Sequence, residues 1–312
     1  MKVNTFRADT KTIDKTTGEY RDPLMKWPLR GAAFTNEVGE ALRPLIGSYA
    51  TISWAPALMY IGADVYDKYK NDNTEYSPNS KRLLKQAIFQ GMASIFLPLV
   101  AVKAGQNIFS LAGLFGKDKI SINTKEIISE VAENFIANGQ MRAFHNKEEE
   151  CINTFLDRVH NMVDYNRQEK NTKNPFIKAW NKIENSILKL LNINNESLDK
   201  YATSTIQDLI EQRKNLLNPT EEFKGTKIYT DYIKNLNKGQ TKNVAIKSAL
   251  SKFQQRKMLK GKTVKTIGGF IALGSLIKPI DHFVDNFLIG KVLGPGIDRY
   301  EPSRERKKEK EL

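Results

Sequence analysis

Cysteine and histidine are nearly missing from this chain: one cysteine, Cys151, and three histidines in 312 residues. A lone thiol excludes an intramolecular disulfide framework and any Cys-rich zinc or iron-sulfur module, so packing must hold the fold. Among the histidines, His160 has Asp157 and Asp164 at helical spacing, a pattern that could gather a metal or move a proton. The plainer reading is a pair of solvated charges beside an apolar face. His282, near Lys278, Asp281 and Asp285, reads as part of a polar network on an amphipathic helix. No HExxH, EF-hand loop, GxSxG or GxGxxG occurs. Gly261, Lys262 and Thr263 match the end of a phosphate-binding loop, but Arg256 stands where its first glycine belongs and no strand precedes it. No catalytic residue, cofactor or metal is expected, and enzymatic activity has no positive support.

Alternating apolar patterns are also missing, so the chain reads as all-α. The expected architecture is a hairpin of two apolar helices, a central amphipathic bundle, and an apolar then amphipathic C-terminal segment. Its boundaries are a flexible tail over 1–22, the hairpin region over 23–119, a basic helical domain over 120–262, the C-terminal segment over 263–300 and a charged flexible tail over 301–312. Residues 1–23 mix both charge signs without an apolar core, which is not the pattern of a secretory signal.

In the central domain the apolar faces recur at helical spacing. Thr124 precedes Ile127, Ile128, Val131, Phe135 and Ile136, and Gly139 closes that helix. Phe155, Val159 and Val163 mark a second helix. Trp180, Ile183, Ile187 and Leu191 mark a third, and Ile206, Leu209 and Ile210 a fourth, closed by Pro219. Such faces could bury a bundle core of ordinary size.

Three stretches carry no charge: Pro44 to Ala63 (20 residues), Gln86 to Val102 (17) and Thr266 to Ile277 (12). A helix needs about 20 residues to cross a hydrocarbon core about 30 Å thick, so 44–63 and 86–102 are the candidate spans. The insertion scale gives the second roughly 2–5 kcal/mol in favour of lipid and leaves the first near zero. Tyr49, Trp54, Tyr60 and Tyr66 add interfacial aromatics to the first. Extending the third to bilayer length encloses Lys278 and Asp281, at about 2.5–3.5 kcal/mol each, so it fails as an independent span. Pro56 and Pro98 should kink or divide the first two. Ala87 and Gly91 offer small residues for close helix contact. The competing reading makes both blocks core helices of a soluble protein.

Acid is missing between Asp231 and Asp281, where eleven Lys and Arg accumulate in a chain of net charge +14. Within that stretch Ile246, Ala249, Leu250 and Phe253 form one apolar helical face. A basic amphipathic helix leading into an apolar block points to docking on anionic lipid through Lys242, Lys247, Lys252, Arg256, Lys257, Lys260, Lys262 and Lys265. Asp64, Asp67, Asp281 and Asp285 are candidate counter-charges. The expected role is a membrane-associated structural or adaptor protein of bacterial type, in the inner membrane with most of the chain cytoplasmic. Its expected partners are anionic headgroups. The alternative is a soluble helical protein binding nucleic acid without sequence preference through 234–265, and 36 Lys against 13 Arg suits loose phosphate contact better than base readout. A third reading takes the Lys- and Asn-rich composition as codon bias and the stretch as a solvated helix face.

Overall fold

The computed structural model describes Leu24 and residues 26–71, 76–143, 147–167, 175–190 and 195–299. The tails read from the sequence as flexible, and Leu191 of the third apolar face, lie outside the described residues. The fold is all-α: among the described residues the one β contact is an isolated bridge between Asn71 and Tyr76. In chain order the first helices are α1 (Leu29–Ala32), α2 (Thr35–Ile46), α3 (Trp54–Lys70), α4 (Ser80–Phe89), α5 (Leu97–Ser110), α6 (Ile122–Ala137) and α7 (Gln140–Ala143). They are followed by α8 (Glu148–Arg167), α9 (Pro175–Leu190), α10 (Asn195–Leu217), α11 (Glu221–Lys224), α12 (Lys227–Leu236), α13 (Lys242–His282) and α14 (Gly294–Arg299). The chain divides into a central unit, Asn107–Lys265, and an outer unit formed by the residues before and after it.

The central unit is a bundle of the expected kind. Phe135 of α6 and Phe155 of α8 meet edge to face at 5.7 Å, fully buried with Val159, Ile206, Leu209 and Leu250. Helix starts follow local chemistry: the side chains of Ser121, Thr220 and Thr226 accept from the backbone N–H groups of Thr124, Phe223 and Tyr229. The cap of α6 is therefore Ser121, with Thr124 inside the helix. Gly139, at φ +70, turns the chain after α6. On α9 Ile183 remains half exposed.

The outer unit corrects two span assignments. Block 44–63 is not one helix: α2 ends at Ile46, Gly47 takes φ +60, and a 3-10 stretch, Gly47–Ser53, precedes α3. Gly47 ends α2, since only glycine adopts that φ without cost, while Pro44 lies inside the last turn of the helix. Pro56 then falls in the first turn of α3, where the missing N–H needs no partner. The second correction concerns the third block. It is the middle of a continuous helical run from Lys242 to Arg299, 58 residues long, which with Ser80–Phe115, 36 residues, is long and apolar enough to cross a membrane.

Within the outer unit these two long helices run antiparallel. Gly105 lies against Gly268 and Ala272, Val102 packs with Leu273, Ala93 with Val284, and Lys85 pairs with Asp298 at 2.8 Å. The close approach falls at Gly105, while a Cβ on Gly91 would meet nothing within 4 Å. Helix α3 packs against α4, the start of Ser80–Phe115, where Asp64 accepts from Gln86 and Gln90.

Candidate functional sites: an inverted outer unit and a basic helix

The outer unit distributes its side chains in the reverse of a soluble core. Its buried positions include Asn36, Glu37, Glu40, Asp64, Gln90 and Gln106, and its buried apolar residues are mostly alanine and valine. Large apolar groups face outward instead: Leu58, Met59, Phe96, Ile271, Leu276 and Phe287 are all exposed. The most apolar windows of the two long helices are only 28% and 22% buried. A core helix of a soluble protein would hide that surface, and monomeric soluble proteins seldom expose contiguous apolar patches beyond a few hundred Å².

A seam of hydrogen bonds holds the polar interior together. Asp64 takes the Gln90 amide at 2.5 Å, the Ser94 hydroxyl donates to Gln90 Oε1 at 2.6 Å, and Asn36 Nδ2 donates to the Ser94 carbonyl at 2.9 Å. That last bond has a cause in the sequence: Pro98, four residues after Ser94, has no N–H to donate to this carbonyl. A π-helical stretch, Gln90–Phe96, leads into Pro98, so the proline is absorbed by a widened turn and a tertiary partner. Further along, Gln106 Nε2 donates to the Glu40 carbonyl at 2.9 Å, and Glu40 holds Arg43 and the Trp54 indole.

The charges of the C-terminal helix that seemed too costly for lipid collect at one place. Lys278, Asp281, His282 and Asp285 line an open cavity of about 480 Å³ with Gln86 and Asn286. Intramembrane charges are tolerated where they face a bundle interior or a wet cavity. Glu37, 5% exposed, sits on α2, and burial together with the Asp281 charge pushes its carboxyl up to about 8. Asp64 belongs to the glutamine seam, and Asp67 accepts from Asn71 at 2.8 Å.

In the central unit, the basic stretch carries its own counter-ions. Lys257 pairs with Asp208, Arg256 and Lys252 with Asp231, and Lys265 with Glu126 at 2.5 Å. Lys247 donates to the Ala137 carbonyl at 2.7 Å, capping the end of α6. Lys242 and Lys260 are exposed and Lys262 half-buried. The apolar face of Ile246, Ala249, Leu250 and Phe253 packs into the bundle core, so it does not lie on lipid. Desolvation would raise the Asp231 carboxyl, but Arg256 and Lys252 outweigh it and hold the group below its ordinary value. Asp231→Asn should cost about 1 kcal/mol, the scale of a partly exposed ion pair, read as a small fall in the thermal midpoint of the central unit.

The remaining sequence candidates have structural roles. His160 Nε2 lies 2.7 Å from Asp199 of α10, not against Asp157 or Asp164. Cys151 is buried, and desolvation raises its thiol to about 11, far from a reactive thiolate. Gly261 lies within α13, where its missing Cβ makes room for Ile122, and so does not cradle phosphate. Among the described residues no cluster of His, Cys, Asp and Glu could hold a metal. No protein-family model matches the chain, and no curated protein or solved structure matches it either.

Proposed function

We propose that the chain is a membrane-associated helical protein of structural or adaptor type. The helix Ser80–Phe115 and the apolar half of Lys242–Arg299 cross the bilayer as an antiparallel pair, replacing the 44–63 and 86–102 pairing read from the sequence. The observation that carries this reading is the inversion of the outer unit: carboxylates and amides inside, phenylalanine, leucine and isoleucine outside. In lipid that arrangement hides each polar group and costs nothing at the apolar exterior, whereas in water it is the reverse of what folding favours.

The basic stretch supplements this anchor. Of the eight cations named for lipid docking, five are held by groups of the central unit, and Lys242, Lys260 and Lys262 are left, among the described residues, for anionic headgroups, at about 1 kcal/mol each. The same pairing reduces what the stretch offers to nucleic acid. A stretch of sequence without acid suits the negatively charged cytoplasmic leaflet, and on this reading the central unit lies in the cytoplasm, at a bacterial inner membrane.

Fractionation tests the reading. The chain should stay with membranes through high salt and alkaline carbonate and leave them only in detergent. Recovery as a folded monomer in plain buffer would overturn it, and salt-sensitive retention on nucleic acid in that buffer would establish the alternative.

A further inference from the structure

The apolar half of Lys242–Arg299 carries one polar stripe. Lys278, Asp281, His282, Asp285 and Asn286 are exposed, and the first four follow the i, i+3, i+4, i+7 spacing of a single helix face. All five line the open cavity of about 480 Å³. The helix pair fixes their depth: Val284 packs with Ala93, in the middle of the Gln86–Val102 stretch. Lipid headgroups lie at the bilayer surface and do not reach that level. Charges at such a depth need a polar neighbour, because lipid tails solvate none of them.

The stripe contains its own complement. Lys278 stands one turn before Asp281 and two turns before Asp285. In two copies inserted in the same sense and related by a two-fold axis along the bilayer normal, the stripes run parallel, and whatever one copy offers its partner it also receives. The flexible lysine stem spans the rise of one turn, about 5.4 Å, so both Lys278–Asp281 pairs between the copies form together. Toward the helix N-terminus, Gly274 and Ser275 continue the exposed face. A Cβ on Gly274 would meet nothing within 4 Å, which leaves room for a second helix to approach closely.

We propose that a second copy of this chain covers the stripe, giving a parallel dimer in which Lys278 of each copy pairs with the partner's Asp281. The proposal rests on the membrane reading and adds the surface by which the spanning helices associate. Dimerisation turns an open cavity on each chain into one polar interior shared by two, the setting in which intramembrane charges are tolerated.

The test places full chains carrying donor or acceptor fluorophores in liposomes of phosphatidylcholine and phosphatidylglycerol, once their retention through alkaline carbonate has been measured. Energy transfer between copies should persist on dilution with lipid. K278D and D281K, each alone, should weaken association at least tenfold, because like charges then meet in both pairs. A mixture of K278D donor chains and D281K acceptor chains should recover to within threefold of the natural chain, since the reversed charges again match in both places. A second measurement needs no charge reversal. H282C, in a C151A chain, should cross-link between copies on oxidation, whereas L276C, exposed on the other side of the same helix, should not. Absence of transfer between carbonate-resistant chains, transfer that K278D leaves unchanged, or cross-linking through H282C no greater than through L276C overturns the dimer while the membrane reading stands. Release of the natural chain by carbonate overturns both.

Discussion

Gly105→Leu is expected to break the antiparallel helix pair of the outer unit. A Cβ at this position would overlap the Gly268 carbonyl oxygen and lie 2.6 Å from Ala272 Cβ. Backbone cannot rotate aside as a side chain does, so the two helices must separate and lose the Val102, Leu273 and Ile277 contacts next to the site. Overpacking ordinarily costs about 1–3 kcal/mol, and a clash with backbone along a helix seam belongs at or above the top of that range. Gly91→Leu is the control: it also places leucine on an apolar helix, but its Cβ enters open space, so it should shift the thermal midpoint little. Unfolding of both variants, followed in the same detergent, checks the pair. Similar midpoints for the two would mean that the helices do not meet at Gly105.

The contrast between these glycines shows which parts of the fold were legible. Both sit in stretches of helical pattern with an alanine four residues before, Ala87 before Gly91 and Ala101 before Gly105. What separates them is the neighbour across the seam, Gly268, far along the chain. The central unit was easier, because its helices bury one face in water. The 3.6-residue recurrence of Ile128, Val131 and Phe135 then names its own core. The outer unit defeats that logic. Its helices are apolar outside and polar inside, so a count of charge-free residues measures the exterior and misses the seam of Asp64, Gln90, Ser94 and Asn36.

Two particular errors follow from the same cause. A charge-free count makes the third block too short, because Lys278 and Asp281 interrupt the apolar run. In the fold they line one cavity with His282 and Asp285, away from the apolar exterior of the helix. The first block looked long enough because a window of uncharged residues says nothing of φ, and Gly47 ends the helix there. The basic stretch was visible as sequence, but its neutralisation was not. Asp231, Asp208 and Glu126 lie 25, 49 and 139 residues from the cations they hold, beyond the reach of any local window.

The polar interior also predicts how the outer unit answers to pH. Glu37 lies on α2, outside the two long apolar helices, and is almost fully buried. Desolvation, reinforced by the Asp281 charge, lifts its carboxyl from 4.5 to about 8, while Glu40, one turn on, keeps its charge against Arg43. A group that binds its proton more tightly when folded stabilises fully below its unfolded value and loses that contribution as pH rises through the folded one. Stability of the outer unit should therefore fall as pH rises from about 5 to 8 and level off above that. One pKa unit is worth about 1.4 kcal/mol, which bounds the change at roughly 5 kcal/mol. Glu37→Gln keeps the shape and never ionises. It should match the natural chain near pH 5 and exceed its stability by roughly 2–4 kcal/mol at pH 9. Thermal unfolding of both proteins across that interval, in the same detergent, measures the difference. Parallel curves would show that Glu37 reaches water in the folded state, and the interior would then be wetter than the packing of Asn36, Glu37 and Gln106 requires.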